Sequence, residues 1–153
     1  MKVEYINPFI KATTEVFKTM LNTEITTGKP YIKSSPFVAD TLMIMVGITG
    51  EIRGQAALSM NAEIAKNVAS TMMMGMPVEE LDELSKSALS ELANMIMGNS
   101  ATLLFNAGVN IDITPPTLMM GDNMQISAGA MRTVCIPLSS PVGDLMFDIS
   151  VKE

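Results

Sequence analysis

The chain has 153 residues, nearly half of them apolar, with one cysteine, no histidine and a formal net charge of −6. That length suits one domain, residues 1–153, able to bury roughly 70% of its unfolded surface without a disulfide or metal staple. The ten basic residues are scattered, which excludes a nucleic-acid footprint and a basic membrane-surface helix, and the absence of histidine excludes Ser-His-Asp and Cys-His nucleophiles and histidine zinc sites.

Asn7-Pro8 reads as a helix start, because Asn caps and Pro fits the first helical position. Phe9, Ile10, Thr13, Val16, Phe17, Met20 and Leu21 then recur at helical spacing, which predicts a helix over about 8–22. Three β-type segments follow: 24–33, rich in Thr and Ile; 39–49, strongly apolar; and 54–60, reached through a hairpin turn at 50–54. Asn61 caps a second helix, with Ile64, Ala65, Val68, Ala69, Met72 and Met73 on one side and a stop near Gly75. Pro77 opens the longest helix, whose first turns hold Glu79, Glu80, Asp82 and Glu83, the sign the helix dipole favours there. Gly108 is its stop, and about thirty residues make a rod roughly 45 Å long. Strands are expected again at 110–114, 125–138 and 145–151, punctuated by Pro115-Pro116 and by Ser139-Ser140-Pro141.

The order of elements suggests a pseudo-repeat: a helix plus three strands, a linking helix, then the same again. The last strands of the halves look alike, Gly54–Met60 beside Gly143–Ile149. The expected fold is α/β of the α+β kind, one mainly antiparallel sheet with long helices packed against it. Cys135 lies in the apolar run Thr133–Ile136 and is expected to be a buried packing residue, and the sixteen methionines are expected chiefly in the core. A lone cysteine fits a reducing compartment, and neither a signal-peptide core nor an apolar run near the ~20 residues of a membrane span is present, so a cytoplasmic location is expected.

The long helix carries the chemistry. At about 100° per residue, with Ser87 as zero, Glu91 falls near 40° and Asn94 near −20°, so the three share a face. Glu83 and Ser90 border it, and Gly98 and Ala101 continue it with almost no side chain. Leu81, Leu89, Leu92, Ile96 and Leu103, flanked by Met95, occupy the opposite side, which should be core. An ordinary solvated face carries many Lys and Glu. This one is Ser, Glu, Asn, Gly and Ala, and Asn is a poor interior helix former whose place there wants a reason.

The segment Ser87-Ala88-Leu89-Ser90-Glu91-Leu92-Ala93-Asn94 resembles the Ser/Asp-x3-Glu-x2-Asn signature of the CheC/CheX/FliY chemotaxis phosphatases. The family pattern continues with a proline. Here Pro115 and Pro116 follow Asn94 after 20 and 21 intervening residues, slightly short of the family spacing, and Pro116 is the matched position. Some relatives repeat the signature on the first helix. Here Glu15 has Lys11 four before it and Lys18 three after it, so one site per chain is expected, as in CheX-like members.

The resemblance implies hydrolysis of the aspartyl phosphate on the response regulator CheY. It implies that Asn94 orients the attacking water, that Glu91 pairs with a regulator lysine, that Ser87 is auxiliary, making a partner contact or a local hydrogen bond, and that Pro116 shapes the neighbouring loop; Gly98, by its small size on the same stripe, is expected to let the partner approach closely. It also implies a homodimer joining sheets edge to edge. No cofactor of the chain's own is implied, Mg2+ being expected on the partner receiver domain. The alternative is a non-catalytic module of the same superfamily that binds a receiver or the flagellar switch.

Overall fold

The computed structural model describes residues 2–153. In chain order the elements are α1 (Val3–Leu21), β1 (Thr26–Thr27), β2 (Tyr31–Lys33), β3 (Phe37–Val38), β4 (Leu42–Gly50), β5 (Arg53–Met60), α2 (Ala62–Met72), α3 (Glu83–Asn106), β6 (Ile111–Ile113), β7 (Thr117–Met120), β8 (Gln125–Ile126), β9 (Thr133–Ser140) and β10 (Gly143–Lys152). The main sheet runs β1-β9-β10-β5-β4-β6, with β2 also on β9 and β7 also on β4. β3 and β8 form a separate two-stranded sheet. Every pairing is antiparallel.

The resemblance between the last strands of the halves has a structural meaning. β5 and β10 lie side by side at the centre, and Leu58, four residues after Gly54, pairs with Phe147, four after Gly143. Matched positions of the two halves therefore face each other, and a pseudo-two-fold axis passes between them. The edges cross over: β1 and β2 of the first half pair with β9, while β6 and β7 of the second pair with β4. Counting each interrupted edge as one strand, each half is a helix plus three strands, and neither half completes its sheet alone.

Alternation along the strands aims Leu42, Ile44, Val46 and Ile48 of β4, Ala56 and Leu58 of β5, and Leu145, Phe147 and Ile149 of β10 into one core with the helices. Phe9 of α1 meets Phe147 edge to face, ring centroids 6.1 Å apart, which ties the first helix to the central strand. The opposite face of the sheet buries Met43, Ala57, Ser59, Cys135 and Asp148. There Lys33 Nζ meets Asp148 Oδ2 at 2.8 Å beneath the Phe37 ring of β3. Cys135 is fully buried, as its apolar run predicts, and burial holds its thiol up at about 11, so it carries no thiolate at neutral pH.

Several boundaries move. α1 starts at Val3 and places Pro8 inside the helix. Ile6 is buried, Tyr5 packs against the core, and Lys2 lies over the Tyr5 ring, so packing carries the helix past the Asn-Pro signal. α2 begins as expected, with Asn61 Oδ1 accepting from the Ile64 N–H at 2.9 Å. α3 begins six residues after Pro77, because Asp82 is the side chain that caps it. Its 24 residues make a rod of roughly 36 Å rather than 45 Å. The segment 24–33 is broken into β1 and β2 around Gly28–Pro30, and 125–138 is two strands, β8 and β9. β3 and β7 fall where no strand is expected from sequence. The methionines differ most: Met43, Met60 and Met97 are buried, while Met20, Met74, Met76 and Met120 are exposed.

Candidate active site

α3 packs against α1, α2 and the sheet through Leu89, Leu92, Ala93, Ile96, Met97, Ser100 and Leu104, all buried. At about 100° per residue these cover an arc of roughly 140–280° from Ser87, wider on one side than the leucine stripe alone. Leu81 and Leu103, expected in the core, are only half-buried. Ser87, Glu91 and Asn94 are exposed on the far side. None of the ion pairs among the described residues involves Glu91.

The first turn is fixed from its own end. Asp82 Oδ1 accepts from the Ser85 N–H at 2.9 Å and from Ser85 Oγ at 2.8 Å. These bonds to Ser85 hold the Asp82 carboxyl below the ordinary carboxylate value of 3.8. A depressed folded value means that the cap's stabilisation is complete above 3.8 and is lost as pH falls through the folded value. Asp82→Ala should therefore lower the thermal midpoint at neutral pH and converge with wild type in strong acid. Parallel melting curves across that range check it, and a gap that persisted in acid would remove the charged cap from the account.

Glu83, Lys86, Ser87, Ser90, Glu91 and Asn94 form one wall of a groove of about 550 Å³, and Pro116, Leu118 and Met120 form the other. The structure thus brings Ser87, Glu91, Asn94 and Pro116 together across more than twenty residues of sequence. Gly98 lies one turn beyond Asn94, half-buried, outside the groove lining. A Cβ on Gly98 would meet nothing within 4 Å. Sequence reasoning missed the β7 wall, Leu118 and Met120. The available signal was Thr117-Leu118-Met119-Met120, a short apolar run between Pro-Pro and Gly-Asp.

α1 carries the pseudo-symmetric counterpart of this stripe. Buried Phe9, Ala12, Thr13, Val16 and Phe17 have the same spacing as Leu89, Leu92, Ala93, Ile96 and Met97. Lys11 and Thr14 therefore stand where Glu91 and Asn94 stand on α3. The charge is reversed and the carboxamide is gone, and Thr14 Oγ1 donates to the Ile10 carbonyl at 2.9 Å. The second stripe is not a second copy of the first. Among the described residues no three metal-ligating side chains converge.

The crossed antiparallel sheet with its helices packed on one face has the CheC-like class of fold. A CheC-like superfamily protein from Shewanella sp. PV-4 superposes with a TM-score of 0.89 at 27% identity, covering all of both chains. Residues 42–139 match the model of the family Chemotaxis phosphatase CheX, and the chain belongs to that family. It is 38% identical to the CheY-P phosphatase CheX of Thermotoga maritima, over 100% of this chain and 99% of that one. It also resembles the CheX of the CheX-CheY-BeF3-Mg+2 complex from Borrelia burgdorferi, at 31% identity and a TM-score of 0.85, covering 99% of this chain and 100% of that one.

Proposed function

We propose that this chain dephosphorylates the aspartyl phosphate of the chemotaxis response regulator CheY, Asn94 orienting the attacking water and Glu91 pairing with a regulator lysine. The observation that carries the reading is the groove itself, where Glu91 and Asn94 stand exposed on one helix rather than turned toward their own core. A relative matched over its whole length is a CheY-P phosphatase, and another is crystallised with CheY, which supports the substrate.

The chemistry suits these residues. An aspartyl phosphate is an acyl phosphate, already activated, so the work left is to hold water in line with phosphorus, and positioning is a large lever on such reactions. A neutral carboxamide can accept from the water without adding negative charge beside the phosphoryl oxygens. Mg2+ belongs to the receiver in this reading, and the chain supplies no cofactor. The location is cytoplasmic, where a soluble receiver is met; no helix among the described residues is long and apolar enough to cross a membrane. A homodimer would join two sheets along an edge such as β1/β2, where Tyr31 and Ile32 are exposed.

Mixing the purified chain with phosphorylated CheY and following phosphate release tests the reading directly. Binding without faster release would instead make the chain a receiver-docking module. Gly98 offers a separate check. A helical glycine costs about 1 kcal/mol relative to alanine, and nothing within the chain requires it, so the open space above it is read as room for the partner. Gly98→Ala should raise the thermal midpoint and weaken receiver binding. A more stable variant that binds as tightly as wild type would remove Gly98 from the interface.

A further inference from the structure

The connection between α2 and α3 holds a cluster of exposed apolar side chains that neither the core nor the catalytic stripe uses. Met74 is 96% exposed, Leu84 60% and Met76 56%. Met73, Met76, Val78 and Leu84 line one hollow of about 530 Å³, rimmed by Glu79, Glu80 and Asp82. The loop is held in shape: Ser70 Oγ donates to the Met76 carbonyl at 2.7 Å, and the Gly75 N–H donates to the Ser70 carbonyl at 2.8 Å. Isolated exposed apolar residues need no explanation; here several share one hollow with an acidic rim, so a single incoming side chain and its neighbours would meet both.

We infer that this hollow is a second docking contact for the receiver domain, taking an apolar side chain flanked by lysine or arginine and helping to set which receiver is accepted. The inference rests on the reading that the groove seats a receiver. Continuity is the first argument. Asp82 and Leu84 line the hollow and Glu83 lines the groove, so the two meet at the first turn of α3. At about 100° and 1.5 Å per residue, Leu84 falls near 60°, on the same face as Glu91, and roughly 15 Å along the axis from Asn94. An interface of ordinary size covers about 800 Å² per partner, a patch roughly 30 Å across, so a protein centred on Glu91 and Asn94 reaches the hollow.

Charge complementarity is the second argument. Glu79, Glu80 and Asp82 crowd the rim, Glu83 adjoins it in sequence, and Lys86 is paired with Glu83 at 3.7 Å. Such a rim favours a basic segment and disfavours an acidic one, which is how like-charge repulsion rejects wrong partners. Methionine suits the floor because its flexible thioether adapts to differently shaped side chains.

Steady-state hydrolysis of phosphorylated CheY by the full chain tests this with two variants. Met76→Ser/Leu84→Ser removes the apolar floor. Glu79→Lys/Glu80→Lys reverses the rim at exposed positions that cannot disturb the core. Each should raise KM about fivefold or more at unchanged kcat, as loss of an interface anchor does, and the charge variant should also lose part of the salt dependence of KM. Unchanged KM in both variants overturns the inference. So does a change in the chain's own oligomeric state at unchanged KM, which would assign the hollow to a second copy. Asn94→Ala in the same assay separates the two readings: collapse of kcat there, beside unchanged KM in the hollow variants, removes the hollow and leaves the groove standing.

Discussion

Asn94→Ala should slow phosphate release from the phosphorylated receiver by on the order of 10- to 100-fold or more while leaving the fold intact. A preorganised polar group removed from a reaction centre costs a few kcal/mol, and each ~1.4 kcal/mol is tenfold in rate. Here the group is a carboxamide on a helix whose other side is locked by Leu92, Ala93, Ile96 and Met97, so its position is set before the partner arrives. The side chain is exposed and alanine is the better helix former. The thermal midpoint of the variant should therefore hold or rise as the rate falls, a combination that damage to the core would not produce. Binding should persist, because Glu91 and the groove walls remain. Single-turnover decay of phosphorylated CheY, run beside a melting curve, measures both quantities. A variant as fast as wild type would end the water-orienting role.

Glu91→Ala should instead act on the complex. Glu91 is solvated in the free chain and becomes covered once a partner sits in the groove. Its removal leaves a regulator lysine without its counter-charge, a loss of about 2–5 kcal/mol when one partner of a desolvated pair is truncated. The effect should appear as weaker binding to a beryllofluoride-loaded regulator, with a smaller salt dependence than wild type. Glu91→Gln keeps the shape and loses the charge, so it should follow alanine if charge is what matters and wild type if shape is. Titration at two ionic strengths distinguishes these, and unchanged affinity in the alanine variant would take Glu91 out of the interface.

The azimuths of Ser87, Glu91 and Asn94 follow from helical geometry, and the structure leaves all three exposed as that geometry requires. The core positions Leu89, Leu92 and Ile96 followed from the same periodicity. Helix starts were less legible. Asn7-Pro8 carries a strong local signal, yet tertiary packing extends α1 to Val3. Pro77 carries another, yet the helix waits for Asp82, whose carboxylate satisfies the Ser85 N–H.

The pairing of the strands was beyond local reading. β7 is four residues long and owes its existence to β4, against which Met119 pairs with Met43. Without β7 the groove has one wall only, so Leu118 and Met120 could not be named. The α1 counterpart of the stripe depended likewise on burial: sequence spacing pointed to Glu15, whereas the packed faces place Lys11 and Thr14 there.

By itself the sequence determined the turn-by-turn face of α3, the hydrogen-bonding side chains on it and the exclusion of histidine chemistry, because helical azimuth and residue chemistry are local quantities. The tertiary structure alone decided that the halves interleave, that Pro116 and β7 come to stand across from Glu91 and Asn94, and that most methionines stay out of the core. Those are contacts between residues far apart in the chain, selected by how whole faces bury together, and no window of neighbouring residues contains them.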